Sequence, residues 1–120
     1  MKRKGRYFID PIYQAEVYYL LGGTAAELRE YFIKEHGQTP KFKDNTGGLE
    51  WMAEDKKGMR FYVWLEKFNQ NNLVHEIKHL TNDVLNEIGI PPCEQTEEAY
   101  AYLQEFYFRT LMDLTHKMRK

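Results

Sequence analysis

The chain has a single cysteine, Cys93, among its 120 residues. An internal disulfide is therefore impossible, and so is a cysteine-rich zinc knuckle. Long apolar runs are also missing, and the first residues are charged. The expectation is therefore a cytoplasmic protein with neither a secretory signal nor a membrane span. Neither sign of charge dominates: 17 basic residues face 18 acidic ones, for a formal net charge of -1. Net charge thus makes no case for a nucleic-acid partner. Basic residues do gather at the ends, in Lys2, Arg3, Lys4 and Arg6 and in Lys117, Arg119 and Lys120, where they read as solubilising tails. Repeats and low-complexity segments are absent.

What is present is a globular composition rich in rings. Apolar residues make up 42% and aromatic residues 15%. The length suits one domain, 1–120, with one core. An alternating segment runs from about Tyr7 to Leu20, broken at Asp10-Pro11, and ends at Gly22-Gly23. Thr24 with Glu27 three residues on predicts a capping box. Leu28, Tyr31 and Phe32 form the apolar stripe of the helix that follows, and Gly37 stands where a left-handed C-terminal cap belongs. Residues 37–48 read as a loop.

A hairpin comes next, with Leu49, Trp51 and Ala53 on one face, turn residues at 55–58, and Phe61, Val63 and Leu65 alternating on the return strand. A second helix spans about Leu73 to Ile88, with Leu73, Ile77, Leu80, Val84 and Ile88 as its core stripe and Leu85 beside them. Pro91-Pro92 forces a turn, and a last helix runs from near Thr96 to about Met118. The order strand, helix, strand, strand, helix, helix predicts an α+β fold, a small antiparallel sheet covered by helices.

The informative segment is His75-Glu76-Ile77-Lys78-His79. Histidines at i and i+4 on a helix point the same way, one turn apart, and can grip one metal ion from adjacent corners. Zinc suits imidazole and carboxylate ligands, and a catalytic site uses three protein ligands plus water. Glu76, beside the first histidine, is placed to take a proton from zinc-bound water. Asn82 and Asn86 continue the histidine face. Glu94, Glu97 and Glu98 open the next helix, which a short connection makes an antiparallel neighbour. His36 closes a helix end, where a cationic ring favours the dipole. Cys93 reads as a surface thiol.

His75-Glu76-Xaa-Xaa-His79 followed eighteen residues later by Glu98 resembles the gluzincin branch of zinc metallopeptidases. Glu98-Ala99-Tyr100-Ala101 looks like the sequence around the third ligand in aminopeptidases of that branch. More loosely, the whole chain is similar to small, phage-encoded proteins carrying the same motif, with the size of a minimal gluzincin. The resemblance implies a zincin-like fold with an active-site helix and a following glutamate helix. It implies zinc as cofactor, His75, His79 and Glu98 as ligands, and Glu76 as general base; helix phase read from sequence leaves Glu97 as the competing third ligand. The implied partner is a peptide or protein substrate extended along a sheet edge, with Gly48 to Ala53 as the edge strand. Many gluzincins place an aspartate four residues after the ligand glutamate. Here Tyr102 stands there, so Tyr102 and Asn82 are the supporting groups around the ligands, and Tyr100 and Tyr102 are the candidates for a transition-state donor. Gly47-Gly48-Leu49-Glu50 faintly resembles the strand motif that holds a substrate amine, although alternation places Glu50 on an outward face. Two other readings stay open: a phage or mobile-element assembly or regulatory protein with a zinc site but no turnover, and a metal-free interaction module.

Overall fold

The computed structural model describes residues 2–38, 40–43, 45–55 and 58–119. The fold is α+β, with a four-stranded sheet and three helices. The N-terminal alternating segment folds as two strands, β1 (Lys4–Ile9) and β2 (Glu16–Leu21), paired antiparallel. The Asp10-Pro11 break is the turn between them. Asp10, fully buried, accepts the Ile12 and Tyr13 amides on Oδ1 at 2.7 and 3.2 Å. The carboxylate so satisfies two turn donors that would otherwise lack partners.

α1 (Ala25–His36) begins with the predicted capping box of Thr24 and Glu27, and Gly37 closes it at φ 63° with its amide bonded to Ile33. β3 (Gly48–Asp55) and β4 (Gly58–Leu65) form the expected hairpin, whose turn residues Lys56 and Lys57 lie outside the described residues. The expected 37–48 loop likewise includes Thr39 and Asp44, which lie outside them, as does Lys120 at the basic end. The sheet order is β1-β2-β4-β3. β2 and β4 are parallel, so the sheet is mixed where a purely antiparallel one was expected. A parallel pair needs a long crossover, and the segment from α1 through β3 supplies it.

β4 is central, and Phe61 to Leu65 are all buried. Helices cover both faces of the sheet, so alternation there does not mark one wet face. Tyr62 and Trp64 pack with Leu20, Leu28 and Phe32 under α1. Val63 and Leu65 pack with Ile77, Leu80, Leu103 and Tyr107 under α2 (Gln70–Glu87) and α3 (Glu97–Met118). Ile88, expected in the core stripe, falls just past the end of α2 and is 45% exposed. A single 3-10 turn over Glu94–Thr96 leads into α3. β3 is the sheet edge on the side of α2 and β1 the opposite edge. Among the described residues, no helix is long and apolar enough to cross a membrane.

Candidate metal centre

α2 carries the histidine motif. Asn69 caps its start by accepting the Asn72 amide at 3.1 Å. Leu73, Ile77, Leu80 and Val84 fix its rotation by burying one face. At 100° per residue this stripe leaves His75, His79, Asn82 and Asn86 on the outward side, and all four are exposed. Glu76 and Asp83 fall on the flank toward β3, beside Gly48 and Glu50, and Val74 and Lys78 on the flank toward α3.

The Nε2 atoms of His75 and His79 stand 3.2 Å apart, with the rings edge to face. Two nitrogens on one tetrahedral zinc at about 2.0–2.1 Å would lie roughly 3.3 Å from each other. The pair therefore fits two corners of a zinc site with little adjustment. A third corner is not in place: among the described residues no group of three His, Cys, Asp or Glu side chains could hold an ion.

The reason lies in the phase of α3. Ala101, Gln104 and Phe108 face α2 across a groove with Val74 and Ile77. Glu97 falls on the same side and lines a cleft of about 320 Å³ with Lys78, Asn82 and Cys93. Glu98, one residue on, is rotated about 100° away and is exposed with Tyr102 and Arg109. Tyr102 is 65% exposed. Tyr100 donates its hydroxyl to the Ile90 carbonyl at 2.6 Å, which ties α3 to the preceding turn. The Cys93 thiol is exposed beside Thr96 Oγ1 at 3.6 Å, and that hydroxyl pulls its pKa below the ordinary thiol value.

Glu76 is buried, between the exposed histidines and the edge strand. Burial pushes its pKa up, while the two imidazoles and the backbone amide of Glu50 pull it down. Gly48 makes room for it: a Cβ there would stand 3.3 Å from Glu76 Oε2 and 3.0 Å from Leu65 Cδ2. A carboxyl raised toward neutrality suits proton transfer, as general base and then as acid.

Glu50 is not an outward residue. It shares the inward face of β3 with Gly48 and Met52 and lies beside Glu76 and Asp83. Burial, then the Asp83 carboxyl, then Glu76 push its pKa up to about 9. Its Oε2 is buried without a hydrogen-bond partner among the described residues. Glu50 is therefore a neutral acid at pH 7, and the acidic flank of α2 carries less charge than its three carboxyls suggest. The sequence signal was the register. Glu50 alternates with Leu49 and Trp51, which places it on the sheet face opposite α1, the face that α2 covers.

A second polar cluster, under α1, has no counterpart in the sequence reading. The His36 side chain is fully buried, with Nδ1 2.8 Å from Asp55 Oδ2 and Nε2 2.6 Å from the Tyr62 hydroxyl. Arg60 binds the same carboxylate through both oxygens at 3.1 and 2.8 Å. His36 stands at the C-terminal end of α1 as expected, but its ring turns inward to join the helix to both strands of the hairpin. Compared with protein-family models, curated proteins and solved structures, the chain has no significant match.

Proposed function

We propose that this chain is a zinc-binding protein of metallopeptidase type that hydrolyses peptide bonds. The observation that carries the reading is the conjunction at the start of α2: two imidazole nitrogens 3.2 Å apart, with a buried carboxyl of raised pKa between them and the sheet edge. His75 and His79 would hold the ion. Glu98 is the third donor by resemblance, and Glu97, on the helix face turned toward α2, is its competitor. Zinc bound there supplies Lewis acidity toward a carbonyl. Glu76 takes a proton during attack and returns it to the leaving amine. β3, an edge strand of the sheet, offers backbone groups to an extended peptide.

Protein purified without chelator is expected to carry about one zinc per chain, and His75→Ala or His79→Ala to lose most of it. Full metal content in both variants would end the reading. Glu98→Ala and Glu97→Ala, compared by zinc affinity, identify the third donor. Glu76→Gln keeps the shape of the side chain but cannot act as a base. It should retain zinc and abolish hydrolysis of unfolded protein or disordered peptides, and hydrolysis at full rate in this variant would refute the catalytic role.

The exposure of the histidines favours one other reading, a zinc site of an assembly or regulatory protein without turnover. In that case a second molecule completes the coordination. The stoichiometry falls to about one zinc per two chains, zinc promotes association, and wild type cleaves nothing.

A further inference from the structure

The two basic ends of the sequence meet in space. Lys4, at the start of β1, donates from Nζ to the Met118 carbonyl at the end of α3, at 2.8 Å. Between them opens a cavity of about 430 Å³, within the range of about 300–1,000 Å³ typical of small-molecule sites. Its floor is apolar, with Leu21 and Met118 almost fully buried and Phe68 partly so. Its rim holds Lys4, Lys67 and Arg119, from three separate segments, and among the described residues no side-chain carboxylate lines it. None of the three is ion-paired among the described residues.

The arrangement is more than a solvated tail. The Arg119 guanidinium lies over the Phe68 ring at 5.3 Å, a cation–π contact that holds it at the rim without using its N–H donors. Lys4 uses one ammonium donor on the Met118 carbonyl, which offsets the negative end of α3 and leaves its other donors over. Among the described residues Lys67 forms no ion pair. Unpaired cations around an apolar floor match one ligand chemistry, an apolar body that carries an anionic head.

We propose that this cavity binds a small amphiphilic carboxylate, with its alkyl or aryl body against Leu21, Phe68 and Met118 and its carboxylate among Lys67, Arg119 and Lys4. The site is independent of the histidine pair. A nucleic acid would need the cations but not the floor, so an apolar body is the discriminating feature.

Octanoate is a suitable probe, titrated into the full-length protein by calorimetry and followed by NMR at the Met118 methyl group. Saturable binding is expected, with a progressive shift of that methyl signal. Octanol, with the same chain and no charge, should bind at least tenfold more weakly, and so should acetate, which has the charge but no chain. Lys67→Glu and Arg119→Glu alter exposed side chains, so the fold, checked by circular dichroism, should persist while octanoate affinity falls at least tenfold. Binding should also weaken with added salt. The proposal is overturned if octanoate does not saturate, if octanol binds equally well, or if both charge variants bind octanoate as wild type does. It is likewise overturned if a DNA duplex displaces octanoate and binds more tightly, which would make the patch a polyanion surface.

Discussion

Glu50 shows how one residue's environment departs from its sequence appearance. A glutamate on an alternating strand ordinarily faces water, yet this one is held between β3 and α2 with its pKa raised to about 9. The folded chain therefore binds a proton that the unfolded chain, titrating near the usual 4.5, has already lost. Stability must fall as pH rises through the window between those values and level off above it. At pH 7 the cost is on the order of 3 kcal/mol, at 1.36 kcal/mol per pH unit above 4.5. Glu50→Gln keeps the neutral shape without titrating, so the metal-free variant should be more stable than wild type at pH 7–8. The two should converge near pH 5. Denaturant unfolding across pH 5–9 checks this, and a wild-type curve that stays flat over the range would contradict it. The histidine pair was legible because i, i+4 spacing on a helix survives any tertiary context. Glu50 and Asp83 were not, because their meeting depends on which sheet face α2 covers.

At the scale of elements, local signals held where the chemistry is local. The Thr24–Glu27 box and Gly37 fixed both ends of α1, because caps are completed within one turn of backbone. The break at Asp10-Pro11 was legible, but the pairing of the two halves as separate strands was not, because the turn is closed by Asp10, whose burial depends on α3, far along the chain. The parallel pairing of β2 with β4 was equally hidden, since alternation reports a strand's faces and not its neighbours. The phase of α3 decided the rest: Glu97 lines the cleft against Lys78 and Asn82 of α2, and Glu98, one residue of rotation away, does not. α1 itself is joined to the hairpin by His36, between Asp55 and Tyr62. His36→Ala leaves a carboxylate and a hydroxyl without that partner and opens a cavity, at a cost of about 2–4 kcal/mol. His36→Phe refills the space among Phe32, Trp51 and Tyr62 but restores neither hydrogen bond, so most of the loss should remain. Chemical denaturation of the three proteins measures the difference. Full stability in His36→Phe would show that the ring's packing, and not its bonding, holds α1 in place.

For the whole molecule, α3 is the element that closes the fold. It reaches back to the N-terminal hairpin through two buried polar contacts distant in sequence, besides the Lys4–Met118 bond at its end. Tyr19 meets Thr115 at 2.7 Å between hydroxyls, and the Tyr107 hydroxyl donates to Asp10 Oδ2 at 3.0 Å. The Asp10 contact has the larger consequence. The same carboxylate accepts the Ile12 and Tyr13 amides, so Tyr107 holds the group that shapes the β1–β2 turn. Tyr107→Phe keeps the ring in the core and removes only the donor. Asp10 Oδ2 is then buried beside an apolar ring, and stability should fall by about 1–3 kcal/mol. The effect should also be local in a way that simple loss of packing is not: hydrogen exchange at Ile12, Tyr13 and the β1 amides should speed up more than exchange in β4. Asp10→Asn should weaken the same turn, and in the double variant the losses should sum to less than the two singles, because both remove one shared interaction. Strict additivity of Tyr107→Phe and Asp10→Asn, with β1 protection unchanged in each, would show that α3 docks without the Asp10 contact and that the turn holds its shape without α3.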